Sequence, residues 1–358
     1  MNNSKTELEK RLFGPKGKNF KPLTKAQVEK FLRLSAEERE EFYHYTDISA
    51  LIGILSGRAL RLTRGSDLND VREFENCPEK AKRTFVASFC RTIRENVAMW
   101  WLYGFHGKQT RTRIPVRIRF SGQALRDAVK GRLQAKTVRK KQLVGVKEPV
   151  WCDVIYQYSK GERHGREVEP AQSSIILDKK IADGSRCKAF MDALGRFPAY
   201  AKDGCWAHEE ETRLTIELEK KEDAEGVRQI SIPIAGALTD IEVCIGPGEL
   251  AKKYHELVEK RLKKAGFKIS GMKRKGNRVA VRTVKGKDDH DQEFTYTQRV
   301  QLVYSQCAVR FAGFAGKKRG RKKGKKARRA CGDKASEGRA ARRPPCKTRT
   351  GNELRERE

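Results

Sequence analysis

The chain has 358 residues, 37% apolar and 35% charged, with a formal net charge of +33. That length allows one large or two small domains with a sizeable core, but no run of ~20 apolar residues exists to cross a membrane. The opening MNNSKTELEKRLFGPKGK lacks the apolar stretch of a secretory signal. The nine cysteines form no CxxC pair and no finger-like spacing, so a disulfide framework and a zinc site are not expected, and the protein reads as cytoplasmic.

In chain order, Ser35 with Glu38 makes a capping-box pattern that opens a short polar helix leading to EFYHYT. Phe42 to Thr46 is aromatic and β-favouring, a short strand. Thr46 or Asp47 then caps a helix with the apolar face Ile48, Leu51, Ile52 and Leu55, stopped by Gly57. A strand at 59–63 precedes SDLNDVREFE, which has no apolar period and reads as a turn. TFVASFC (84–90) is a buried strand, and 96–103 is a short aromatic helix. Ile114, Val116, Ile118 and Phe120 alternate with arginines as a half-buried strand, after which Ser121 caps a helix to about Leu133. Strands follow at 150–158, 211–218, 228–234 and 241–245, with an amphipathic helix at 186–200, another from about 249 to 265, and a last strand pair at 267–284. There is no βαβ spacing and no repeat. An α+β fold with mixed or antiparallel β-structure and short helices is expected.

This divides the chain into a helical lead-in (1–40), a single α+β core domain (41–285), a short extension (286–315) and a basic tail (316–358). The tail carries a net +13 in 43 residues and almost no large apolar side chain, so it is expected to be disordered. The body is basic too, which favours contact with DNA or RNA.

Four clusters carry residue types that a core does not need. On the first strand His44 and Thr46 share one face, and Tyr43 and Tyr45 the other. Leu68-Asn69-Asp70 runs on to Glu73; Ser88-Phe89 is followed by Met99-Trp100 and Tyr103. Trp206 leads to Glu209, Glu211 and Arg213, which share one face if the segment is extended. Two carboxylates ~7 Å apart there can ionise differently and divide acid and base roles. Taken singly, the four also read as a core histidine, a turn, packed aromatics and a solvated acidic edge.

In order and together, YHYT (43–46), LNDxxE (68–73), SF (88–89), MWxxY (99–103), WxxExExR (206–213) and IGP (245–247) resemble the bacterial family known as domain of unknown function 2971, over about residues 41–275. Cys90-Arg91-Thr92 stands where that family is serine-rich, and Arg-rich inserts lengthen 105–148. The opening is similar to that of DNA-targeting ADP-ribosyltransferase toxins. The resemblance implies an ADP-ribosyltransferase-like split β-structure holding NAD in its cleft. His44 and Thr46 would meet the adenosine ribose, Ser88 and Tyr103 would support the nicotinamide, and Glu211 with Glu209 would direct transfer, with His44 as the further catalytic residue. Tyr45 and Trp100 would wall the site, with Asn69, Asp70 and Arg213 as further cofactor contacts. No metal is required, and the absence of GxGxxG argues against an NAD-dependent dehydrogenase. The expected function is an NAD-consuming enzyme of toxin or phage-defence systems. The alternatives are a non-enzymatic nucleic-acid-binding protein, and a metal-dependent nuclease built on Asp70, Glu73, Glu209 and Glu211.

Overall fold

The structure is a computed structural model that describes residues 2–70, 73–74, 77–105, 113–130, 134–138, 143–158, 174–177, 180–183, 198–220, 225–247, 251–271, 278–287 and 293–307. The basic tail and most of the expected 186–200 helix lie outside these residues. Two helices come first, α1 (Asn2–Phe13) and α2 (Lys25–Glu37). At the start of α2, Thr24 accepts from the Gln27 N–H and the Gln27 side chain accepts from the Thr24 N–H. The capping box is therefore Thr24–Gln27 and not Ser35–Glu38. The apolar stripe Val28, Phe31, Leu32 and Ala36 lies upstream, Ser35 is buried in the last turn, and the first strand begins too soon after it for another helix.

The main sheet contains β1 (Glu41–Asp47), β2 (Ala59–Arg64), β3 (Thr84–Cys90), β4 (Pro115–Ser121), β5 (Gln134–Thr137), β6 (Leu143–Gly145) and β7 (Val150–Asp153). A small sheet is built from β8 (Ile155–Tyr158), β9 (Ser174–Leu177), β10 (Lys180–Asp183) and β11 (Ala201–Asp203). The main sheet resumes with β12 (Glu211–Glu217), β13 (Gln229–Pro233), β14 (Asp240–Ile245), β15 (Lys268–Ser270), β16 (Arg278–Lys287) and β17 (Glu293–Tyr304). Its order is β15-β16-β17-β14-β4-β1-β3-β2-β13-β5-β6, with β12 paired to both β3 and β7. Its pairings are antiparallel except β14 with β17; in the small sheet β11 runs parallel to β8. Helices with mixed, largely antiparallel sheets make this an α+β fold.

Asp47 caps the helix α3 (Ile48–Gly57) through bonds from the Ser49 and Ala50 N–H groups. The left-handed residue beyond it is Arg58 and not the expected Gly57. The stretch expected as one strand at 150–158 breaks at Val154, whose N–H bonds the Glu211 carbonyl, so β7 and β8 enter different sheets. The stretch expected as a short extension carries β17, whose Val300 and Leu302 are buried in the main core. That core includes the aromatic group Phe42, Phe89, Phe120 and Trp151, with Phe42 stacked on Trp151 at 4.7 Å. A second core joins Leu8, Leu12, Phe31 and Leu32 of α1 and α2 to Ile155, Leu177 and Tyr200.

The IGP glycine has a packing reason. The Gly246 N–H bonds the Pro115 carbonyl, and a Cβ at Gly246 would lie 2.5 Å from Pro115 Cγ. Gly246→Ala is expected to destabilise the fold by ~1–3 kcal/mol, the usual cost of overpacking, read as a lower urea midpoint with an unchanged m-value.

Candidate active site

The site grows from the way two strands leave a third. Along one edge, β3 is paired over its whole length by β12, from Glu211 opposite Cys90 to Glu217 opposite Thr84. On the other edge β1 reaches it only at Tyr43 opposite Cys90, and β2 only at Thr63 and Arg64 opposite Val86 and Phe85. Residues 87–89 therefore face a split. His44 bridges it with its imidazole, placing Nδ1 3.1 Å from the Ser88 carbonyl oxygen. Burial lowers the His44 pKa below its ordinary value, with the Ser88 bond pulling weakly the other way.

A cavity of about 280 Å³ opens at this split, lined among others by His44, Tyr45, Ser88, Tyr103, Glu209 and Glu211. Behind it lies a buried ion cluster. Arg213 donates through Nε and Nη2 to Glu211, at 2.7 and 2.9 Å, through Nη1 and Nη2 to Glu73, and through Nη1 to the Ala199 carbonyl at 3.0 Å. Its five N–H donors are thus all used. The Lys202 ammonium sits 2.6 Å from Glu209, 3.5 Å from Glu73 and 3.6 Å from Glu211, and 4.7 Å from the Trp206 ring centre.

The two carboxylates of the ExE motif are not equivalent. Burial alone would raise Glu211, but Arg213 and Lys202, with hydrogen bonds from Arg213 and Ser88, hold it down to about 2. Glu209 is raised by burial and by the neighbouring Glu211 charge, against Lys202 and Tyr103. Both Glu209 oxygens accept hydrogen bonds, Oε1 from the Tyr103 hydroxyl and Oε2 from Lys202, an arrangement that suits its ionised form. Asn69 Nδ2 donates in turn to Tyr103 at 3.0 Å. The two neighbouring carboxylates are thus driven in opposite directions, Glu209 the more basic and Glu211 held ionised.

The extended reading of 209–213 does not hold. Glu209 ends the 3-10 helix Gly204–Glu209, Glu210 is left-handed (φ 44, ψ 55), and the strand begins at Glu211. This turn brings both flanking carboxylates to one cavity. Of the other expected site residues, Tyr45, Asn69, Ser88 and Tyr103 line the cavity, with Ser88 exposed to it. Arg213 lines it too, yet no donor of it is left for a ligand. Thr46 and Asp70 are buried outside the lining. Trp100 is a core residue, fully buried, donating to Glu95 at 3.0 Å and packed edge-on against Tyr45. Lys202, Arg61 and Thr63 are lining residues that sequence reasoning missed. Among the described residues no three His, Cys, Asp or Glu groups are placed to hold a metal ion; Lys202 and Arg213 lie between the carboxylates of the supposed nuclease set.

No family model matches the chain, and no curated protein or solved structure matches it. The family resemblance rests on the motifs alone.

Removing Arg213 leaves Glu73 and Glu211 buried without their partner. Arg213→Met is expected to cost ~3–5 kcal/mol in urea unfolding. The lowered Glu211 value makes its charge a stabilising element above pH ~4.5, worth about 3 kcal/mol and lost as pH falls toward 2. Glu211→Gln is therefore expected to be less stable than wild type at neutral pH, with the gap closing through that window in pH-dependent urea melts.

Proposed function

We propose that the protein is an NAD-consuming enzyme of ADP-ribosyltransferase type, acting in a bacterial toxin or phage-defence setting. The observation that carries this reading is the convergence of His44, Ser88, Tyr103, Glu209 and Glu211 on one cavity in a split sheet. ADP-ribosyl transfer breaks the bond between the ribose C1 and the nicotinamide nitrogen. The nicotinamide leaves with the electron pair, and a nucleophile closes on C1 while losing its proton. The ribose passes through an oxocarbenium-like state, and the ionised Glu211 offers a fixed negative charge beside it. Glu209, the more basic carboxylate, takes the proton of the incoming group. Tyr45 and Tyr103 supply aromatic walls for the nicotinamide. With water as nucleophile the same steps hydrolyse NAD.

Incubation with NAD labelled in its ADP-ribose part is expected to yield free nicotinamide and labelled product. Glu211→Gln is expected to lose at least ~10²-fold in rate, the usual cost of removing an electrostatic stabiliser. The reading falls if wild type neither transfers nor hydrolyses NAD and NAD produces no thermal shift.

A second reading, nucleic-acid binding without catalysis, is favoured by a separate observation. On the helix Ala251–Lys264, Tyr254, Val258 and Leu262 are buried, while Lys253, Lys260 and Lys264 form an exposed stripe on the opposite side. Duplex binding measured against salt is expected to show a steep negative slope that the Glu211→Gln variant retains. This binding is compatible with catalysis, the polyanion then being the acceptor.

A further inference from the structure

Every cation of the buried cluster is committed. Arg213 has spent its five donors, and Lys202 is shared among three carboxylates. At the rim Arg64 is paired with Asp67 at 3.0 Å. Arg61 is different. It is exposed, it lines the cavity, and no side-chain partner holds it among the described residues. Its position follows from the register. Thr63 stands opposite Val86, so continued pairing would set Arg61 opposite Ser88, but β2 leaves β3 at that point. By the same count β1, paired at Tyr43 with Cys90, would set Tyr45 opposite Ser88 had it stayed. Arg61 and Tyr45 thus flank Ser88 from the two sides of the split, on its face of the sheet.

The charges along the cavity then have an order. The ion cluster behind it holds Glu73, Glu209 and Glu211 against Lys202 and Arg213, a net charge of −1 when all are ionised, with Glu209 and Glu211 reaching the lining; the mouth carries Arg61 beside Asp67, whose charge Arg64 meets. A ligand that matches is dipolar, with its cation inward and its anion at the mouth. The volume of about 280 Å³ lies just below the usual range of ligand pockets, ~300–1,000 Å³, which suits one half of a dinucleotide better than the whole. The remainder must leave past the rim. A guanidinium fork is the side chain best matched to phosphate oxygens.

Building on the NAD reading, we propose that Arg61 forms a diphosphate subsite at the mouth of the cavity, which selects a nucleotide over the corresponding nucleoside. Calorimetric titration of the full-length protein with oxidised NAD, nicotinamide riboside and inorganic pyrophosphate tests this, comparing wild type, Arg61→Gln and Arg61→Lys. Arg61→Gln is expected to weaken NAD by at least ~10-fold, the scale of a lost charged hydrogen bond, and to leave the riboside unchanged. Arg61→Lys is expected to recover part of the loss, and NAD binding by wild type to weaken more with salt than that of Arg61→Gln. Circular dichroism melts should superimpose, because the side chain is exposed and has no side-chain partner among the described residues.

Equal NAD affinity in wild type and Arg61→Gln would overturn the subsite, as would an equal loss for NAD and riboside. If wild type binds neither NAD nor the riboside, the NAD reading itself fails. The pyrophosphate arm then decides the anion site separately: binding lost in Arg61→Gln supports it, and no binding by wild type removes it.

Discussion

The site depends on the cost of burying charge. Arg213 is about 1% exposed and lies among carboxylates that are themselves almost wholly removed from water. A guanidinium in that position is tolerable only when its hydrogen-bonding capacity is met, and here Glu73, Glu211 and the Ala199 carbonyl meet all of it. The three partners come from the loop after β2, the start of β12 and the turn before β11. One side chain therefore ties three distant stretches of chain into a single wall. Lys202 adds a second cation from β11, and a third carboxylate, Glu209, joins the same shell through it.

That wall would be a closed core if the sheet in front of it were continuous. It is open because β1 and β2 both pair with the same edge of β3 but only at its ends. Three backbone positions are left without a ladder neighbour on that edge, and unmet backbone groups are costly. The His44 ring meets one of them. Cavity and histidine are thus two aspects of one interruption in the sheet, and the carboxylates gain access to solvent through it. The left-handed Glu210 adds a local constraint of the same kind. Such a backbone is uncommon outside glycine, and here it reverses the chain between two acids that must face the same way.

Much of this was legible where periodicity is strong. The alternation of Ile118 and Phe120 with arginines, the TFVASFC run and the Asp47 cap each placed an element close to its observed bounds. His44, Ser88, Tyr103, Glu209 and Glu211 stand out as polar or aromatic types in motifs where a core pattern does not need them, and the structure brings them to one place. What stayed hidden is relational. Lys202 is a single lysine in AYAKDG, with nothing local to separate it from a surface lysine. The place of Arg61 at the cavity mouth depends on where β2 departs from β3. Trp100 looked like a ligand wall because aromatic composition does not say which side of an element is covered. Thr46 shares a strand face with His44, yet it is buried outside the cavity, two residues further from the point where β1 leaves β3. The expected capping box at Ser35 failed since two correct-looking residues three apart recur by chance, while an apolar stripe does not.

The imidazole that spans the split carries one more consequence. A carbonyl oxygen can only receive a hydrogen bond, so the neutral ring must keep its single proton on Nδ1, toward Ser88. The lone pair is thereby assigned to Nε2 by the backbone of a neighbouring strand and not by any ligand. The ring enters each encounter already polarised, an acceptor oriented in advance. Acid would silence that lone pair while leaving the bond to Ser88 intact. Because burial disfavours the charged ring, protonating His44 costs the folded state stability even though its bond to Ser88 can persist.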